Sequence, residues 1–165
     1  GLPIRIERPQ RMHKDGRAYT VLIGDEDVTT AVRKPEVEAI VSDVAKWPDV
    51  RAALVRQQRR MARRDAIVMV GRDITTEVLP DADLKIYLDA SLQNRAERRY
   101  RELIAKGRQT TPDEVQQELA ERDRKDTERE AGALRKADDA VVVDTDDMNI
   151  EETVEAVLRL VAKSD

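Results

Sequence analysis

Residues 66–90 read AIVMVGRDITTEVLPDADLKIYLDA, and the way this stretch is punctuated decides the fold. The apolar run Ala66-Ile67-Val68-Met69-Val70 stops at Gly71-Arg72-Asp73. A second run, Leu84-Lys85-Ile86-Tyr87-Leu88, follows Pro80-Asp81-Ala82-Asp83. Short runs rich in β-branched residues and bounded by Gly and Pro predict buried strands of a parallel sheet. Ligands of such sheets sit beyond the carboxyl ends of the strands, which is where Arg72 and Asp73 emerge. One fixed cation beside one fixed carboxylate suits a small anionic ligand that carries a polar ring.

Toward the C-terminus, Ser91 predicts an N-cap for a helix to about residue 106, with Leu92, Ala96, Tyr100 and Leu103 on its apolar face. Gly107 ends that helix. Thr111, Pro112 and Glu114 then spell a capping box with Pro at the first helical position. The helix they open runs to about residue 128 with only Val115 and Leu119 as apolar anchors, so it is expected to swing. Ala140-Val141-Val142-Val143-Asp144 predicts a third buried strand. Asn149 or Asp147 caps a last helix whose inner face is Ile150, Val154, Val157, Leu158 and Val161. Strands alternating with helices indicate an α/β sheet.

Toward the N-terminus, residues 2–8 and 18–23 read as strands joined through Lys14-Asp15-Gly16-Arg17, a hairpin signal. Gly24-Asp25-Glu26-Asp27 turns the chain into a third short strand, Val28 to Val32. Three such strands need a surface to lie against. Pro35 starts a helix to about residue 46, with Val37, Ile40, Val41 and Val44 facing inward. Pro48 restarts the chain into a helix to about residue 64, with Val50, Ala53, Leu54 and Met61 inside. The arginines at 56, 59, 60, 63 and 64 read as its solvated face.

The 165 residues hold 30 Lys and Arg against 34 Asp and Glu, a net charge of −4, which argues against a general nucleic-acid or membrane-surface binder. Any phosphate affinity must therefore come from local arginines. With no Cys and one His, a disulfide framework and a typical zinc site are excluded. The composition reads as that of a soluble, cytoplasmic protein, with no membrane and no nucleic acid as partner.

The order of the G-R-D turn, the strand PDADLKIYLDAS and the helix RAERRYREL (residues 95–103) resembles the bacterial cytidylate kinases, which move a phosphoryl group from ATP to CMP or dCMP. The resemblance extends over nearly the whole chain. It implies a nucleoside monophosphate kinase-like α/β fold, a parallel sheet with helices, plus a small antiparallel CMP-binding subdomain. That subdomain would span residues 1–64, and residues 65–165 would form the remaining kinase core with a lid at about 98–129. Cytosine offers an amine beside two acceptors, so a carboxylate paired with donors reads it. The family places base contacts at the positions of Ser42, Arg51 and Asp73. It further implies Arg72 and Arg129 for the phosphate and Asp126 for the ribose hydroxyls. Arg98, Arg99, Arg122 and Arg124 flank the lid, where arginines would stabilise the charge of the transferred phosphoryl.

The sequence departs from the family at two places. Glu128-Arg129-Glu130-Ala131-Gly132-Ala133-Leu134 stands where the family continues N-R-x-x-x-P-L, and Thr75 stands where G-R-D-x-G-T has Gly. A β-branched residue at 75 excludes positive φ, so the turn after Asp73 is expected to differ. No G-x-x-x-x-G-K-[ST] occurs in the chain. The resemblance therefore leads us to expect a kinase whose first strand and phosphate loop are absent here, along with most of the Mg²⁺ ligands. The chain by itself would then be inactive. Two alternatives are a non-catalytic pyrimidine-nucleotide-binding fragment and a helper subunit. The family resemblance implies a monomer, and an exposed edge would favour dimerisation.

Overall fold

The computed structural model describes residues 3–10, 17–45, 47–63, 66–128 and 132–164. Its contacts divide the chain into two compact units, Gly1–Arg64 and Asp65–Asp165.

The first unit is an antiparallel sheet followed by two helices. β1 (Ile4–Glu7) pairs with β2 (Thr20–Ile23), and β2 pairs with β3 (Glu26–Asp27). The predicted hairpin signal at residues 14–16 lies outside the described residues. Between β2 and β3 the turn is Gly24-Asp25, and Gly24 has φ +63°, the freedom a two-residue turn of this kind requires. The third strand falls at 26–27 rather than at 28–32. Thr29 explains the difference. Its Oγ1 accepts the Val21 N–H at 2.8 Å, while its own N–H donates to Asp27 Oδ1 at 2.9 Å. These side-chain bonds replace a ladder and curl the chain into a 3₁₀ turn, Ala31–Arg33. α1 (Pro35–Ala45) and α2 (Pro48–Ala62) follow, each opened by a proline.

The second unit is built on two parallel strands. β4 (Ile86–Asp89) and β5 (Val141–Asp144) pair in register, Ile86 with Val141 through Asp89 with Asp144. α3 (Leu92–Ala105) and α4 (Pro112–Thr127) form an antiparallel hairpin between them, and α5 (Ile150–Ser164) closes the chain. The helix ends follow the sequence signals. Ser91 Oγ accepts the Asn94 N–H, Thr111 and Glu114 make the reciprocal capping box, and Asn149 and Glu152 exchange the same pair of bonds. Gly107 stands past the end of α3 with φ +75°. Ala96, Leu103 and Val115 form a buried cluster, joined by Tyr100 and Leu119, so α4 is packed onto α3 despite its polar sequence. Arg95 Nη1 adds a 2.6 Å bond to Asp123 across the same interface.

Several expectations of burial do not hold, and β4 and β5 are among them: Leu88, Val141 and Val142 are exposed, while Val143 is buried. Residues 66–70 form no strand, and Val68 and Val70 are 91% and 90% exposed. A β-branched run becomes a strand only where a neighbour supplies the ladder, and none does among the described residues. The stripes on α1 (Val37, Ile40, Val41, Val44) and α5 (Ile150, Val154, Leu158, Val161) are likewise exposed, as are Val50 and Leu54 of α2. Helical periodicity marks a face fit for burial and says nothing about what covers it. Among the described residues no helix is long and apolar enough to cross a membrane.

Acid should weaken the first unit through Asp27. Its carboxyl lies well below the usual range because it accepts bonds from the Thr29 hydroxyl, the Thr29 N–H and Arg17, in that order. A carboxyl depressed in the folded state contributes stability above its unfolded pKa of about 3.9 and loses it as pH falls through the folded value. The gap in urea midpoint between the natural chain and Asp27→Asn should therefore narrow from about pH 6 to about pH 3. A constant gap would assign the shift to no stabilising contact.

Candidate functional site

The turn after residue 70 is shaped by a close approach. A Cβ on Gly71 would stand 2.7 Å from Ile74 Cγ1, so only glycine lets the buried Ile74 pack there. The chain then makes one π-helical turn, Ile74–Val78. The Asp73 carbonyl accepts from the Glu77 N–H at 2.8 Å and the Val78 N–H at 3.3 Å, and the Ile74 carbonyl accepts from Leu79 at 2.7 Å. Ile74 and Val78, the latter 1% exposed, anchor the turn from below. Thr75 fits because no described residue other than glycine takes positive φ. The turn after Asp73 is thus a wide helical one that a β-branched residue can adopt. Such turns recur at functional sites.

Arg72, aimed by this turn, forms an ion pair with Asp126 in the last turn of α4. The Asp126 side chain is 4% exposed, that of Arg72 36%. Arg122 Nε stands 4.0 Å from the same Asp126 oxygen, one helical turn away. Three of the residues expected at the site are therefore brought together: a buried carboxylate between two guanidiniums. The Asp126 carbonyl is also used, accepting the Leu134 N–H at 2.8 Å, so the returning segment is registered to the same residue. Gly132 takes φ +66° at the start of that segment.

The other expected residues are placed differently. Asp73 is half-buried at the head of the π turn. Arg124 points away from Arg122 on α4, bonded to Glu121 at 2.9 Å and Glu128 at 2.6 Å. Its pKa is raised, first by the Glu121 hydrogen bond. Arg98 is held against the end of β5, donating to Thr145 Oγ1 at 3.1 Å, to the Thr145 carbonyl and to the Met148 carbonyl at 3.3 Å. Arg99 bonds Glu102 at 2.9 Å. Ser42 and Arg51 lie in the first unit on α1 and α2. The Ser42 side chain and all of Arg129 lie outside the described residues. Arg51 is half-buried in the first turn of α2, its N–H bonded to the Trp47 carbonyl at 2.9 Å.

Sequence reasoning missed the polar stitch at the strand ends. Thr145 donates both its N–H and its hydroxyl to the Asp89 carbonyl, at 2.9 Å each. Ser91 N–H donates to Asp146 Oδ1 at 2.7 Å, so the start of α3 is tied to the loop after β5. The available signal was the pair of strands each ending in Asp, followed in one case by Ala90-Ser91 and in the other by Thr145-Asp146.

A sequence profile described as Cytidylate kinase matches residues 5–163. The chain belongs to the cytidylate kinase family. It is 48% identical over 153 residues to a cytidylate kinase of Streptococcus equi subsp. zooepidemicus (strain MGCS10565), an alignment covering 92% of this chain and 67% of that protein. It is 50% identical over 146 residues to cytidylate kinases of Streptococcus pneumoniae strains Hungary19A-6 and D39, covering 86% of this chain and 66% of each relative. The chain thus spans about two thirds of the length of the curated relatives it matches. Family membership agrees with the mixed α/β architecture, a parallel pair with helices plus a small antiparallel sheet.

The Arg72–Asp126 pair should respond asymmetrically to truncation. Arg72→Ala removes the ion-pair partner of a buried carboxylate and should cost about 3 kcal/mol. Asp126→Ala leaves a guanidinium that is over a third exposed and can rehydrate, so about 1–2 kcal/mol is expected. Urea denaturation of both variants checks this. Equal losses would mean that burial of Asp126 does not set the cost.

Proposed function

We propose that this chain carries the nucleotide-acceptor machinery of a (d)CMP kinase, which transfers a phosphoryl group from ATP to CMP or dCMP and yields CDP or dCDP in the cytoplasm. The observation that carries the reading is the Arg72–Asp126–Arg122 cluster, assembled from a turn and a helix far apart in sequence. Family membership supports it.

In this reading Asp73 accepts the cytosine amine, while Ser42 and Arg51 donate to ring N3 and O2. Arg72 and Arg129 hold the acceptor phosphate, for which an arginine fork is better suited than a lysine. Asp126 accepts the ribose hydroxyls and at the same time fixes Arg72. Lid arginines stabilise the charge on the phosphoryl oxygens as it transfers. Of these, Arg122 is the one beside the Arg72–Asp126 pair, whereas Arg98 and Arg124 are engaged elsewhere. Magnesium would neutralise phosphate charge. Among the described residues no group of three acidic or histidine side chains could hold the ion.

Calorimetry with CMP tests the acceptor side. Asp73→Ala should weaken binding by ~1–3 kcal/mol, the scale of one base-reading contact, without changing the urea midpoint. Unchanged affinity would remove Asp73 from the base site. These 165 residues contain no G-x-x-x-x-G-K-[ST], the loop whose amides and lysine cradle ATP phosphates. Assayed by themselves they should release ADP at least ~1,000-fold more slowly than a cytidylate kinase carrying that loop. Robust turnover in a coupled assay would overturn this.

A further inference from the structure

Between the start of β2 and the start of α1, the first unit forms an open cavity of about 380 Å³ lined by Arg17, Thr29, Thr30, Arg33, Lys34 and Pro35. Three of these six side chains are cations and none is acidic. That is a local excess of positive charge in a chain of net charge −4.

Two of the cations, Arg17 and Arg33, are held in place. The Arg17 side chain is only 10% exposed, and its Nη1 donates to Asp27 Oδ2 at 2.5 Å and to Thr29 Oγ1 at 3.4 Å. Asp27 pairs with Arg17, and both its oxygens are committed, Oδ1 to the Thr29 N–H and Oδ2 to Arg17. It offsets one of the three positive charges at most. Arg33 lies over the Tyr19 ring, 5.3 Å from its centroid, which orients the flat guanidinium. Lys34 follows at the end of the 3₁₀ turn, and the Thr30 hydroxyl at its start makes no capping bond.

We propose that this cavity binds a phosphate-type oxyanion, either free or as the terminal phosphate of a nucleotide. Arginine forks and threonine hydroxyls match tetrahedral oxygens in geometry, and a partly desolvated cation attracts them more strongly than an exposed one. The cavity belongs to the first unit and the Arg72–Asp126 cluster to the second. An anion here would clamp the Thr29–Thr30 turn to the start of α1. Because Ser42 lies about two turns along that helix, occupancy would stiffen the element that carries it.

NMR titration of the full chain with potassium phosphate, against potassium chloride at matched ionic strength, tests the proposal. Phosphate should give saturable shifts at the amides of Thr29, Thr30 and Arg33. The exposed double variant Arg33→Gln/Lys34→Gln should keep the fold and bind about tenfold more weakly or worse. ATP and CMP form the second arm. ATP binding about tenfold tighter than phosphate at these amides identifies a nucleotide polyphosphate, and equal affinity identifies the free ion. Shifts that chloride reproduces, that the double variant leaves unchanged, or that are missing up to about 20 mM phosphate would overturn the site. CMP shifts at Arg72 and Asp73 report the acceptor site separately, so failure of one reading is distinguishable from failure of the other.

Discussion

A carboxylate taken out of water must find a cation, and in this chain Asp126 finds Arg72. Much of the second unit is arranged so that they meet. Gly71 lets Ile74 approach the backbone, the π turn sets the direction in which Arg72 leaves, and Val78 pins that turn into the core. On the other side, Val115 and the Arg95–Asp123 bond fix the rotation of α4, so that positions 122 and 126 face the turn. Displacing any of these moves one end of the pair.

The charged residues divide into two classes by what they connect. Arg99–Glu102, Arg101–Glu97, Lys106–Glu102, Arg124–Glu128 and Arg159–Glu155 are exposed pairs one turn apart on single helices. Such pairs are screened by solvent, contribute little, and fix no tertiary relation. Arg95–Asp123, Lys85–Asp139 and Arg98–Thr145 join different elements and therefore set geometry. In a chain that is 39% charged, the polar contacts of the second class add to the apolar packing that joins its elements.

What could be read in the sequence was whatever depends on neighbours along the chain. Caps are such features, and Ser91, Thr111 with Glu114, and Asn149 all act as their types suggest. The strands at 86–89 and 141–144 were legible because each has the other as a partner. Residues 66–70 have the same composition and no ladder partner among the described residues, so their apolar pattern was misleading. The strand expected at 28–32 was lost to Thr29, whose hydroxyl bonds the backbone of another strand at a distance no local pattern encodes. At the candidate site, Arg72, Asp126 and Arg122 could be named in advance, but their grouping could not. Nothing in the spacing of Arg98 and Arg122 shows that one is bound to the Thr145 loop and the other stands beside Asp126.

The parallel pairing of Ile86 with Val141 also bears on the order in which the chain assembles. The two strands are separated in sequence by the entire α3–α4 hairpin, so joining them closes a long loop before the ladder repays the entropy. The hairpin between them is held by near-neighbour contacts, a capping box, a glycine stop and the cluster of Ala96, Leu103 and Val115. Once it forms, the chain still free between the strands is short. The helical hairpin therefore acts as the spacer that makes a distant strand pairing kinetically accessible, and its contacts should be formed early on the route to the sheet.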